Sequence, residues 1–182
     1  MMLKKTNIPN YISVFRLCLI PLFVYFYFVK RSIVAAVVTF LVAGASDVLD
    51  GYLARKHNWT SNLGRILDPV ADKSMQATVL ICLSVDKVIP WWISGILIGK
   101  ELLLVLGATR LIKKFNKYVQ SGWYGKSAVV IFYAVVIVLM LNPGLNSLAR
   151  TLLACLIIAV MLFALVMYYF KMYRGTSKNG KL

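Results

Sequence analysis

Six long apolar runs dominate the sequence and restrict the chain to a fold built from helices in lipid. Each run is close to the ~20 residues that an α-helix needs to cross the hydrocarbon core of a bilayer, although the third and fifth are short. Hydrophobic residues make up 60% of the chain, against about 45–50% in soluble domains. The sequence therefore predicts an all-α integral membrane protein with six transmembrane helices, folded as a single domain over residues 1–182. The predicted helices cover residues 8–29, 33–54, 67–85, 89–108, 124–141 and 147–170.

Lysine and arginine are distributed unevenly between the two sides of these predicted helices. One side carries only Lys30, Arg31, Lys87 and Arg150. Because short cytoplasmic loops are enriched in Lys and Arg, the opposite side is expected to be cytoplasmic and to hold both termini of a multi-pass cell-membrane protein. This topology and the attraction of basic loops to anionic lipid headgroups account for the net charge of +15, so no nucleic-acid partner is expected. The richer side carries Lys4, Lys5, Arg55, Lys56, Arg65, Arg110, Lys113, Lys114, Lys117, Lys126, Lys171, Arg174, Lys178 and Lys181.

Acidic residues are rare, and four of the six stand in one segment. Asp47 and Asp50 lie near the end of the second predicted helix, and Asp68 and Asp72 near the start of the third. Residues three or four apart share a helix face, so the members of each pair project together.

Ionisable groups in membrane segments are costly and usually functional. Four converging carboxylates repel one another unless cations lie between them, and oxygen ligands without His or Cys favour Mg²⁺ or Mn²⁺. The segment therefore predicts a site for two divalent cations that faces the cytoplasm and clamps a diphosphate.

The residues between the two aspartate pairs suit a phosphate ligand. Gly51 and Gly64 leave room for a phosphate, a nucleotide or a neighbouring helix to approach closely. Arg55 and Ser61 offer hydrogen-bond donors to phosphate oxygens. Each of these residues by itself is more typical of helix packing or of anchoring at the membrane interface. Their joint placement favours the phosphate site.

Residues 47–72 resemble the signature D-x2-D-G-x2-A-R-x8-G-x3-D-x3-D of the CDP-alcohol phosphatidyltransferase family. The fixed positions are Asp47, Asp50, Gly51, Ala54, Arg55, Gly64, Asp68 and Asp72, and all of them match. The resemblance implies a six-helix homodimer that binds two divalent cations through the four aspartates, uses CDP-diacylglycerol as donor and releases CMP. It also implies that Asp72 is the general base. The CDP-lipid is then expected to contact Asn10, Gly51, Arg55, Ser61 and Gly64.

The acceptor alcohol must be inferred from residues outside the signature. The opening NIPNYISVFRLCLIP, the DPVADK segment and the Trp91–Trp92 pair resemble the family branch that uses glycerol 3-phosphate. The cardiolipin synthase branch, which uses phosphatidylglycerol, shares several of these features. An acceptor that bears a phosphate needs fixed cations, and Lys73, Arg110 and Lys126 are the predicted ones.

Two motifs depart from the glycerol 3-phosphate branch. Its members commonly have Arg-Glu where this chain has Lys100 and Glu101, and they have GKxKT where this chain has GKSAV. Only Gly125 and Lys126 remain of the second motif. These departures weaken the assignment of glycerol 3-phosphate and leave the aspartate signature unaffected.

Two other classes of membrane protein also place carboxylates in the bilayer. A membrane prenyltransferase is expected to be longer and to have two similar Asp-rich motifs on separate helices. A cation transporter explains intramembrane aspartates but gives no reason for Gly51, Arg55 and Gly64 at these spacings.

Two further charged residues in apolar surroundings are expected to have partners. Arg16 continues a polar stripe with Asn10 and Ser13 on the first helix and is predicted to face the aspartate site. Glu101 is predicted to form an intramembrane ion pair with Lys100 or Arg110.

Overall fold

The computed structural model describes residues 8–57, 64–115 and 123–177, with side chains described at 11–49, 70–103 and 127–167. Every regular element in this part of the chain is helical, which confirms the all-α prediction. Each of the six apolar runs coincides with one helix. The elements are α1 (Ile8–Val24), a π-helical turn (Tyr25–Val29), α2 (Ile33–His57), α3 (Gly64–Val85), α4 (Trp91–Phe115), α5 (Trp123–Leu141) and α6 (Ser147–Ser177).

Several helices continue beyond their apolar run into charged sequence. α4 extends to Phe115 and α6 to Ser177, each seven residues past the predicted end. Lys and Arg are good helix formers, and their charges interact favourably with the negative end of the helix dipole. Arg110, Lys113 and Lys114 therefore prolong α4 where hydropathy alone predicts its end.

The first helix ends in a π-helical turn that follows Pro21. The Lys30 N–H donates to the Tyr25 carbonyl, five residues earlier, at 3.0 Å, which is the bonding pattern of a π-helix. Within this turn Tyr27 is buried and its ring stacks on Phe23, with the ring centroids 5.7 Å apart.

The chain forms two compact units, Met1–Lys87 and Val88–Leu182. In the first unit α1 packs against both α2 and α3, and α2 also contacts α3. The core contains Phe23 and Phe40, whose ring centroids are 6.4 Å apart, and small residues that are fully buried. Small residues let helix backbones approach closely, as they do in membrane bundles. Those small residues are Ala36, Ala43 and Ala71.

In the second unit α6 packs against α4 and α5. Its core combines apolar side chains with a buried ion pair between two described residues. Lys100 Nζ lies 2.5 Å from Glu101 Oε1 and also donates to Met161 Sδ on α6 at 3.3 Å. Glu101 therefore pairs with Lys100, one of the two partners predicted for it. The apolar core residues include Ile93, Phe132, Val136, Ala154 and Ile157.

The outer surfaces of the helices are strongly apolar. Two described segments, Tyr11–Val29 and Ser147–Met167, are long and apolar enough to cross a membrane, and only 28% and 22% of them is buried. The core helix of a soluble protein would be mostly buried, so these segments have the exposure of lipid-facing helices. The shorter segments Ile33–Leu49 and Ser127–Leu141 are also apolar. Exposed apolar surface this extensive is typical of proteins that contact a membrane or a protein partner.

Candidate active site

The signature residues of α2 lie on one unbroken helix. α2 continues to His57, so Asp47, Gly51 and Arg55 follow one another at intervals of four residues along one stripe. Asp50 lies three residues after Asp47 and shares its face. The side chain of Asp47 is 39% exposed, so one end of the stripe is open to a ligand.

The signature residues of α3 form a second stripe with the same spacing. α3 begins at Gly64, and Asp68, Asp72 and Gln76 follow at successive intervals of four residues. The side chain of Asp72 is only 14% exposed. Gln76 was not among the residues that the sequence predicted for the site. Its side chain is 2% exposed, so the stripe continues into the core at this residue.

The packing of α2 against α3 brings the two stripes to a similar depth. The helices are joined by residues 58–63 and contact each other. At 1.5 Å per residue, Asp47 lies about 15 Å of helix before His57, and Asp72 about 12 Å after Gly64. Packed helices with so short a connection run in opposite directions, so both aspartates lie between about two and three turns from the same end of the pair.

A buried arginine from α1 binds the first aspartate. Arg16 is 0% exposed, and its Nη1 donates to Asp47 Oδ1 at 2.7 Å. Its Nε lies 3.4 Å from Ser46 Oγ, which in turn donates to the Ala43 carbonyl at 2.7 Å. A buried charge requires such a partner. The prediction that Arg16 faces the aspartate site is confirmed, and α1 is thereby tied to α2 by charge as well as by packing.

Two side chains of α3 contact the Asp72 carboxylate. The Gln76 amide nitrogen Nε2 donates to Oδ1 at 3.2 Å and to Oδ2 at 3.1 Å. Lys73 Nζ lies 3.6 Å from Oδ2. The sequence did contain a signal for Gln76, because Gln and Asp four residues apart on a helix are known to hydrogen-bond.

The other predicted site residues are placed by their backbone only. Asn10 lies in the first turn of α1, Arg110 on α4 and Lys126 on α5. Ser61 lies outside the described residues. Among the side chains that are described, no three His, Cys, Asp or Glu form a metal-binding group. Two of the four predicted ligands, Asp50 and Asp68, are not among those side chains.

The two aspartates of the site whose side chains are described have the chemistry of ligands for a divalent cation. Asp47 and Asp72 present hard oxygen ligands, the type that Mg²⁺ and Mn²⁺ prefer. Asp47 combines an open side chain with an oxygen that Arg16 holds in place. Hydrogen bonds to a ligating carboxylate orient it, as is usual around metal sites.

Lipid-exposed helices that carry charged side chains between them define an integral membrane protein with a polar site. The sequence model of the CDP-alcohol phosphatidyltransferase family matches residues 6–172 of this chain. The chain therefore belongs to that family. It is an enzyme of phospholipid biosynthesis that transfers a phosphatidyl group from a CDP-linked donor.

Relatives with two different names are similar to this chain. A CDP-diacylglycerol--glycerol-3-phosphate 3-phosphatidyltransferase of Yersinia pestis is 32% identical over 87% of this chain and 90% of its own length. A Mycobacterium bovis protein with a provisional cardiolipin synthase name is 32% identical over 84% of this chain and 73% of its own. A Schizosaccharomyces pombe cardiolipin synthase and hydrolase fusion protein is 38% identical over 58% of this chain, which spans only 18% of the fusion protein.

Proposed function

We propose that this enzyme transfers the phosphatidyl group of CDP-diacylglycerol to glycerol 3-phosphate and releases CMP. The observation that supports this most directly is the complete family signature on two packed helices, with Asp47 and Asp72 at a similar depth. The choice of glycerol 3-phosphate as acceptor is supported by the name of the Yersinia pestis relative, which this chain matches over 90% of that relative's length.

The donor site is proposed to form along the two signature stripes. Asp47, Asp50, Asp68 and Asp72 would hold two divalent cations, Mg²⁺ or Mn²⁺. When bound, these ions would neutralise charge on the diphosphate and on the departing CMP. The CDP-lipid itself would contact Asn10, Gly51, Arg55, Ser61 and Gly64. Arg55 suits this role because its guanidinium can donate two parallel hydrogen bonds to phosphate oxygens.

In the proposed transfer the acceptor hydroxyl oxygen forms a bond to the phosphorus that carries the diacylglycerol. The bond from that phosphorus to the CMP oxygen breaks, and CMP leaves with the electron pair. The Asp72 carboxylate takes the proton of the hydroxyl as general base. The low exposure of Asp72 supports this role, because little water competes with the acceptor for its oxygens.

The phosphate of the acceptor is proposed to bind Lys73, Arg110 and Lys126. Lys73 follows Asp72 directly on α3 and has its ammonium 3.6 Å from that carboxylate. A cation at this position could draw the acceptor's phosphate towards the base. The alternative acceptor is phosphatidylglycerol, which the Mycobacterium bovis relative and the incomplete GKxKT motif favour.

The proposed enzyme is a multi-pass cell-membrane protein. We infer six crossings, with both termini and the active site on the cytoplasmic side, from the apolar helices and from the distribution of Lys and Arg. One catalytic domain would include both compact units, since the family match runs across them. The proposal that the enzyme is a homodimer rests on the family resemblance.

The acceptor is tested by offering the purified enzyme glycerol 3-phosphate and phosphatidylglycerol in separate reactions with CDP-diacylglycerol. We expect CMP release and phosphatidylglycerolphosphate, identified by mass, with glycerol 3-phosphate alone. A chelator should abolish both products, and excess Mg²⁺ or Mn²⁺ should restore them. Cardiolipin formed only from phosphatidylglycerol would replace the proposed acceptor. Absence of CMP with any alcohol, together with cation flux in vesicles, would instead indicate a transporter.

The acceptor pocket is tested by Lys126→Ala. We expect this substitution to raise the KM for glycerol 3-phosphate about tenfold or more, because a charged hydrogen bond to phosphate contributes about 1.5–3 kcal/mol. The KM for CDP-diacylglycerol should change little. Lys113→Ala, a cation near the end of α4 with no proposed role in the pocket, is the matched control. Equal effects of the two substitutions would remove Lys126 from the pocket.

A further inference from the structure

We propose that Gln76 is a positioning residue of the transfer reaction: its carboxamide holds both oxygens of Asp72 and sets the direction in which that carboxylate meets the acceptor hydroxyl. The inference rests on the proposed function, because it assumes that Asp72 is the base. It assigns a task to a residue that lies outside the signature.

The burial of Gln76 requires a polar partner. The side chain is 2% exposed on a helix whose neighbouring buried residues, Met75, Val79 and Leu80, are apolar. A carboxamide in such surroundings is unfavourable unless it is hydrogen-bonded. Asp72, one helical turn earlier, accepts its hydrogen bonds. A polar group is thus buried in the core at a position from which it reaches the proposed base.

The geometry of the contact restricts rotation of the carboxylate. The last torsion of an aspartate side chain has a broad, roughly two-fold distribution, so the rotamer alone does not orient the oxygens. Gln76 Nε2 lies 3.2 Å from one oxygen and 3.1 Å from the other. A donor placed nearly equally between the two oxygens holds both of them and opposes rotation about the Cβ–Cγ bond.

The chemical nature of glutamine suits this task. It supplies N–H donors without a charge, so it holds the carboxylate without forming an ion pair that would compete with the substrate for the base. Lys73, the other described contact of Asp72, is further away at 3.6 Å and has a side chain that is 28% exposed. The buried carboxamide is therefore the more rigid of the two contacts. Loss of orientation in a reacting group can lower a rate by about a hundredfold for a displacement of ~1 Å.

The test uses two substitutions of similar length and a control on the same helix. Gln76→Met keeps the length and the helix propensity but removes the donors, and Gln76→Glu keeps the shape but replaces the amide with a second carboxylate. Thr78→Val is the control, because the Thr78 hydroxyl donates to the Ser74 carbonyl at 2.8 Å and not to Asp72. The purified full-length variants are assayed for kcat, for the KM of each substrate and for equilibrium binding of CDP-diacylglycerol.

We expect both Gln76 variants to lose tenfold or more in kcat, while KM and CDP-diacylglycerol binding stay within about threefold of the wild type. Thr78→Val should retain near-normal kcat. A kcat within twofold of the wild type in either Gln76 variant would overturn the inference. So would a parallel loss of kcat and of CDP-diacylglycerol binding, since Gln76 would then serve the fold alone. Absence of CMP release by the wild type in the same assay would reject the proposed function instead.

Discussion

Asp72→Asn is expected to lower kcat by about 10²–10⁴-fold, the usual contribution of a general base. The amide has nearly the same size as the carboxylate but cannot take the proton of the acceptor hydroxyl. Binding of CDP-diacylglycerol should be largely retained, because the donor has contacts along both signature stripes. The two quantities are measured as the rate of CMP release and as the equilibrium binding of CDP-diacylglycerol to the purified variant.

Asp86→Asn is the matched control for this substitution. Asp86 follows the last residue of α3, and its Oδ2 lies 3.3 Å from Nη1 of the exposed Arg31. The pair is partly exposed, with side-chain exposures of 66% for Arg31 and 28% for Asp86, and such pairs contribute little to stability, so this variant should retain normal turnover. A near-normal rate in Asp72→Asn would show that Asp72 is not the base.

Asp47→Ala is expected to abolish turnover and to destabilise the fold, because the fully buried charge of Arg16 loses its Asp47 partner. The loss of stability should stay below the about 3–5 kcal/mol that removal of one partner of a fully buried ion pair costs, since the Asp47 side chain is itself 39% exposed. Arg16→Met should cost less stability, because the Asp47 that it leaves behind is 39% exposed and can be hydrated. Unfolding of the detergent-solubilised variants in chelator measures this difference without a metal contribution.

The double variant Arg16→Met/Asp47→Ala separates the two roles of Asp47. Replacement of a whole ion pair by apolar side chains is often nearly neutral for stability. The double variant should therefore recover most of the stability that Asp47→Ala loses, while turnover remains absent. If Asp47→Ala unfolds like the wild type, the Arg16 contact does not stabilise the fold.

The positions of the helices could be predicted closely from the sequence. The charged C-terminal turns of α4 and α6 could not. Apolar runs located the six long helices of the described residues, because a membrane protein requires long uninterrupted apolar sequence. The C-terminal turns of α4 and α6 were missed because hydropathy ends with the hydrocarbon, whereas backbone hydrogen bonding continues through Lys- and Arg-rich residues. The π-helical turn Tyr25–Val29 was not predicted either, because a single wider turn within an apolar helix leaves the hydropathy pattern unchanged.

For the site, the sequence predicted only those features that follow from the spacing of residues along one helix. The four-residue intervals from Asp47 to Arg55 and from Gly64 to Asp72 determined which residues share a helix face. The stripe of Arg16 on α1 indicated that it faces the site, but spacing within α1 cannot name a partner thirty-one residues away. The four-residue spacing of Asp72 and Gln76 was a signal for their contact, but the spacing could not show that Gln76 is buried.

The sequence by itself thus determined the class of fold, the family signature and the hard-ligand chemistry of its aspartates, since these follow from composition and from local periodicity. Only the tertiary structure decided which charges meet. Arg16 pairs with Asp47 because α1 packs against α2. Gln76 and Asp72 lie one turn apart on α3, and there the tertiary structure decided the burial of Gln76. The energy of a charge in an apolar bundle depends on its burial and on its nearest partner. Burial is set by the packing of helices that are distant in sequence, and for Arg16 the partner is distant in sequence as well.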